Sequence, residues 1–119
     1  MRNLYLPIKS VLEDVITESP TIKTFVITPD DALSFCAGQF VELTVPGVGE
    51  APFTPSSSPS DEQHLALTVM KAGRVTGMMH EMAPGTTLGV RGAYGNAYPL
   101  DEYAGKDILL LGGGVGLAP

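Results

Sequence analysis

The chain has 119 residues with a net charge of −6, 44% hydrophobic and 17% charged residues, and a single cysteine, Cys36. One domain's length of mixed composition excludes disorder as a description of the whole. An acidic balance without clustered Lys and Arg excludes a nucleic-acid backbone as the main partner, and a lone thiol excludes an internal disulfide or a thiolate cluster for zinc or an iron–sulfur centre within the chain. No apolar run reaches transmembrane length. The N-terminal segment Met1-Arg2-Asn3-Leu4-Tyr5-Leu6-Pro7 lacks the apolar stretch and cleavage site of a secretory signal, so the expectation is a cytoplasmic protein without membrane insertion.

Fourteen Gly and ten Pro punctuate short apolar runs, a pattern of all-β proteins rather than helical bundles. Residues 5 to 16 and 21 to 28 are rich in Val, Ile, Thr and aromatics and read as a hairpin turned at Glu18-Ser19-Pro20. Pro29-Asp30-Asp31 stops the second strand. Gln39 to Val45 alternates, with Val41, Leu43 and Val45 on one face and Phe40, Glu42 and Thr44 on the other, until Pro46-Gly47. The stretch from Val48 to Pro59 has the prolines and serines of a linker, but the next strand follows too soon for two domains to part there.

His64 to Met70 alternates again, with Leu65, Leu67 and Val69 on one side. Between Gly73 and Pro84 the period lengthens: Val75, Met78, Met79 and Met82 form one stripe of a short helix opened by Arg74 or Thr76 and closed by Pro84-Gly85. The stripe reads as packing. Thr87 to Arg91 reads as a strand, Gly92-Ala93-Tyr94-Gly95-Asn96 as a turn, and Leu100 to Lys106 as a connector to a last apolar strand, Ile108 to Leu111. Six short strands, counting the terminal run Ile108 to Leu111, and one small helix, without an internal repeat, predict a compact β-barrel with a handover to a new unit, the barrel domain being placed at residues 1–100.

Gly112, Gly113, Gly114 and Gly116 follow the last apolar run directly. A buried strand entering closely spaced glycines is how a dinucleotide-binding unit opens, because the backbone must turn tightly and let a pyrophosphate approach the amides of a following helix. That helix is not among these residues. Residues 101–119 are therefore read as a connector and the opening of an incomplete NAD(P)-binding domain.

Five segments in this order and spacing, Ala37-Gly38-Gln39-Phe40-Val41, Ala51-Pro52-Phe53-Thr54, Gly73-Arg74-Val75-Thr76, Arg91-Gly92-Ala93-Tyr94-Gly95-Asn96 and Gly112 to Pro119, resemble the ferredoxin-NADP reductase superfamily. The resemblance covers essentially the whole chain and is nearest to the electron-transfer subunits that accompany hydrogenases, sulfite reductases and dihydroorotate dehydrogenases. It implies a six-stranded antiparallel Greek-key barrel that binds FAD, with FMN as the alternative, and a following Rossmann-like domain for NAD(P). It also implies iron–sulfur or hydrogenase/reductase subunits as partners in a redox complex. The flavin relays electrons between nicotinamide and such a partner.

By the same resemblance Pro52, Phe53 and Thr54 fall where a flat side chain covers the flavin ring and a hydroxyl bonds its reactive nitrogen. The family's strand often begins with an Arg for the pyrophosphate, and its aromatic residue is usually Tyr; this chain has Ala51 and Phe53. The turn Gly73, Arg74, Val75 and Thr76 offers a replacement, since free amides at a helix start attract phosphate and Arg74 adds a counter-charge. Val69, Met70 and Lys71, leading into that turn, complete the candidate cofactor set, and no catalytic residue is assigned.

Taken alone, Phe53 also reads as a core residue at a strand end and Thr76 as an ordinary N-cap. His64 and His80 read as solvated, and Cys36 as a small buried hydrophobe. The rival reading of the whole is a non-catalytic barrel that serves as an assembly module in a redox complex.

Overall fold

Alternating buried and exposed side chains set six strands, β1 (Ile8–Ser19), β2 (Ile22–Pro29), β3 (Phe40–Val45), β4 (Gly49–Phe53), β5 (Leu65–Met70) and β6 (Thr87–Tyr94), with two short helices, α1 (Arg74–Met79) and α2 (Leu100–Tyr103). They belong to a computed structural model that describes residue 3 and residues 5 to 119. Met1, Arg2 and Leu4, part of the segment read against a secretory signal, lie outside the described residues.

All recorded strand pairs are antiparallel, and the order is β4-β3-β6-β1-β2-β5. The long strand β1 serves two neighbours: Ile8 to Val11 pair with β6, and Ser10 to Ser19 pair with β2 across two register shifts. Such irregularities increase local twist and help a sheet to curl. The curl brings the sheet's ends together just beyond β4. There Ser56 donates its amide to the Ala66 carbonyl at 2.8 Å, and the Ala66 amide donates to Ser57 Oγ at 3.0 Å, which closes a barrel-like body around the core.

Leu12, Phe25, Ile27, Val41, Leu43, Leu67 and Val90 have no exposed surface; each comes from the inward face that the period-two pattern marks. Met79 of α1 joins them, with Val75 and Met82 packed against the same cluster. Met78 is instead exposed, so the methionine stripe packs along only part of its width. Gly38, at φ +98°, lies under Tyr98: a Cβ there would come within 3.0 Å of the Tyr98 backbone nitrogen, which explains a glycine on both conformational and steric grounds.

The predicted strand Ile108–Leu111 is not a strand. Those four residues are exposed and unpaired with any described strand, and without a neighbouring ladder an apolar run has no sheet to complete. The sixth strand is β4, whose Gly49 and Pro52 conceal it from propensity reading; Pro is tolerated because β4 lies at the end of the sheet. β6 continues through Tyr94 into the expected turn, and the connector from Leu100 contains α2. Cys36 is exposed rather than buried, since the connection from β2 to β3 runs over the surface. Among the described residues no helix is long and apolar enough to cross a membrane.

Candidate functional site

The pairing of β4 with β3 decides which way the candidate residues face. Val41 opposes Phe53 and Leu43 opposes Ala51, whereas Glu42 opposes Pro52. Ala51 and Phe53 therefore share the side of the buried Val41 and Leu43, and Phe53 packs half-buried against the core. Pro52 faces outward. At the strand end Pro52, Phe53 and Thr54 join Phe40 and Glu42 around an open groove of about 430 Å3.

The second half of the site comes from the end of β5. Val69 is buried, while Met70 and Lys71 are exposed, and the Lys71 amide donates to the Thr21 carbonyl at 2.8 Å. The chain then turns through Ala72 and Gly73 into α1, which packs beside β4. A Cβ on Gly49 would sit 3.3 Å from Val75 Cγ2. The segment following β4 meets β5 where the Ser56 amide donates to the Ala66 carbonyl. The fold thus places α1 beside β4, while the groove at the end of β4 is lined by Phe40, Glu42, Pro52, Phe53 and Thr54.

Thr76 shapes the entry to α1. It is the third residue of α1, not its N-cap; the cap is Gly73. Its Oγ1 accepts the amides of Ala72 at 2.9 Å and Gly73 at 2.8 Å, the side-chain half of a capping box. The amides of Arg74, Val75 and Thr76 have no acceptor within the helix, as in any first turn. Lys71 and Arg74 are exposed and make no ion pair among the described residues.

On the outer face sits a group that sequence reading missed. Arg91 of β6 donates from Nε and Nη2 to the two carboxylate oxygens of Glu50, at 2.8 and 2.6 Å, and from Nη1 to the Tyr94 hydroxyl at 2.9 Å. Glu50 also accepts from Thr44 Oγ1 at 3.1 Å. The Arg91 hydrogen bonds hold the Glu50 carboxyl below the usual carboxylate range, and bonding to Glu50 raises the guanidinium above its ordinary value. Arg91 is therefore engaged. Forty-one positions separate Glu50 from Arg91; only the β4-β3-β6 neighbourhood joins them.

His80 is also placed differently from expectation. It is half-buried, its Nε2 lies 2.9 Å from the Val69 carbonyl, and its ring packs tilted on Phe25 at 5.7 Å. His64 is exposed, 3.7 Å from Asp61 Oδ1. Gly112, Gly113, Gly114 and Gly116 lie on an exposed tail whose short 3-10 turn, Gly114–Leu117, touches β5.

Comparison with known proteins gives the class of this barrel-like domain. The profile of the oxidoreductase FAD-binding domain family matches residues 9 to 98, and the chain belongs to that family. It is 51% identical over 86 residues to sulfhydrogenase 1 subunit gamma of Pyrococcus furiosus, covering 72% of this chain and 30% of that protein. It is 42% identical over 113 residues to the probable dihydroorotate dehydrogenase B (NAD(+)) electron transfer subunit of Methanocella arvoryzae, covering 95% and 40%. Among solved structures, the Amycolatopsis cytochrome P450 reductase GcoB superposes with a TM-score of 0.80 at 26% identity, over 93% of this chain and 35% of that one.

The ferredoxin-NADP+ reductase of Plasmodium falciparum shares the fold, with a TM-score of 0.67 at 18% identity over 85% of this chain and 45% of that one. The superfamily resemblance read from the motifs therefore holds, and FAD is the cofactor of the family. The chain spans less than half the length of these relatives.

Proposed function

We propose that this barrel is the flavin-holding module of an NAD(P)H-linked electron-transfer oxidoreductase, working with redox subunits that carry iron–sulfur centres. The similarity to a hydrogenase gamma subunit and to an NAD-linked electron transfer subunit supports that assignment. When bound, the flavin supplies the exchange between two-electron and one-electron steps, while the protein contributes position and electrostatics. The NAD(P) site belongs to a domain that Gly112, Gly113, Gly114 and Gly116 would open, and the complex is assigned to the cytoplasm.

The observation that carries the reading is the cleft's chemistry. Thr54 presents a hydroxyl with no hydrogen-bond partner among the described residues, beside the half-buried Phe53. The first turn of α1, with Arg74 exposed and Lys71 three residues before it, belongs to the helix that packs beside β4. A flavin's ring and its phosphates need these two kinds of surface at one site. In this reading Phe53 and Pro52 border the ring, Thr54 donates to its polar edge, and Val69, Met70 and Lys71 contact its far side. The amides of Gly73, Arg74, Val75 and Thr76 line the phosphate end, although the Gly73 amide is already given to Thr76.

With Ala51 carrying no charge, Arg74 takes the place of a strand-borne arginine. Equilibrium titration of the flavin-free chain with FAD, followed by quenching of flavin fluorescence, tests this. The wild-type chain is expected to bind, and Arg74→Ala to raise the dissociation constant about tenfold, the scale of one charge-assisted hydrogen bond. Equal affinity in the variant would remove Arg74 from the site; no uptake of FAD or FMN by the wild type would favour the assembly-module reading.

A further inference from the structure

We infer that His80 is a positioning residue for the cofactor cleft, an inference that rests on the flavin reading above. In that reading the segment from Val69 to Thr76 forms one side of the cofactor site, and its shape is fixed from two ends. At the far end Thr76 Oγ1 gathers the Ala72 and Gly73 amides. At the near end His80, the C-cap of α1, reaches back so that Nε2 meets the Val69 carbonyl at 2.9 Å.

His80 is itself held on three sides. Lys23 Nζ donates to its carbonyl at 2.9 Å, its own amide donates to the Thr76 carbonyl at 3.1 Å, and Phe25, fully buried, supports its ring. The result is a closed circuit in which β2 holds His80, His80 holds β5, and α1 returns the chain to Thr76. A wall set in this way needs little ordering when a ligand arrives, and preorganisation of that kind lowers the cost of binding.

Acting through Val69 rather than on the cofactor, His80 should govern affinity in proportion to the bond it donates. In His80→Leu the Val69 carbonyl keeps its ladder pairing with β2 but loses the imidazole donor that ties it to α1, and the FAD dissociation constant of the full chain is expected to rise about tenfold, the upper range for one hydrogen bond. His80→Gln, whose amide also donates, is expected to restore affinity to within about threefold of wild type. Lys23→Met, which leaves the imidazole in place, should show a loss in the same direction and carries the test if His80→Leu does not fold.

Amide hydrogen exchange of the flavin-free proteins supplies a second readout. Protection at Val69 to Thr76 should fall in His80→Leu and Lys23→Met and persist in His80→Gln. Wild-type affinity in both His80→Leu and Lys23→Met, or equal weakening in His80→Leu and His80→Gln, would overturn the inference while leaving FAD binding intact. A wild-type chain that binds no flavin would instead defeat the functional reading and this inference with it.

Discussion

Replacing Thr76 with valine is expected to weaken FAD binding by about a hundredfold, because one oxygen organises the whole approach to α1 and its loss costs about two hydrogen bonds at once. Thr76 Oγ1 accepts from Ala72 and Gly73 at 2.9 and 2.8 Å. Valine fills nearly the same volume but accepts nothing, so both amides must find water and the turn loosens. Thr76→Ser, which keeps the oxygen, should bind within a few-fold of wild type. Thermal unfolding reports the same loss in the flavin-free chain: two hydrogen bonds removed from the cap should cost about 2 kcal/mol of stability. Wild-type affinity in Thr76→Val would show that the turn takes no part in holding the cofactor.

Phe25→Ala should produce the largest loss of stability, about 3–5 kcal/mol. Phe25 has no exposed surface and belongs to the main core cluster, so truncation removes apolar burial and leaves a cavity inside the barrel-like body. Against a total of about 5–15 kcal/mol for a domain, urea unfolding should shift to a much lower midpoint with a similar slope. Phe25→Leu, nearer in volume, should cost about 1.5 kcal/mol or less. The tilted contact with His80 at 5.7 Å ties this residue to the cleft, so flavin affinity in Phe25→Ala should fall even where the protein remains folded. Unfolding of Phe25→Ala at the wild-type midpoint would contradict the packing described.

Most of the fold is legible in alternation. Val41, Leu43 and Val45 announce the inward face of β3, Leu65, Leu67 and Val69 that of β5, and both are buried as the pattern requires. Alternation fails where a strand owes its existence to pairing rather than to propensity. β4 contains Gly49, Ala51 and Pro52 and becomes a strand because β3 supplies a ladder, whereas Ile108 to Leu111 has ideal residues and no ladder.

The cofactor segments could be marked by motif resemblance, because glycine, threonine and proline at fixed offsets encode local backbone shape. Long-range partnerships left no such trace. Glu50 with Arg91, and His80 with Val69 and Lys23, depend on which strands become neighbours, and neither residue type nor spacing announces them.

The central claim is the location of the cofactor, and a crystal structure of the chain grown with FAD tests it most directly. The isoalloxazine is expected beside Phe53 with its polar edge at Thr54, and the diphosphate within reach of the Arg74 to Thr76 amides. Flavin density elsewhere on the barrel, or a cleft between β4 and α1 filled by the protein's own side chains, would contradict it.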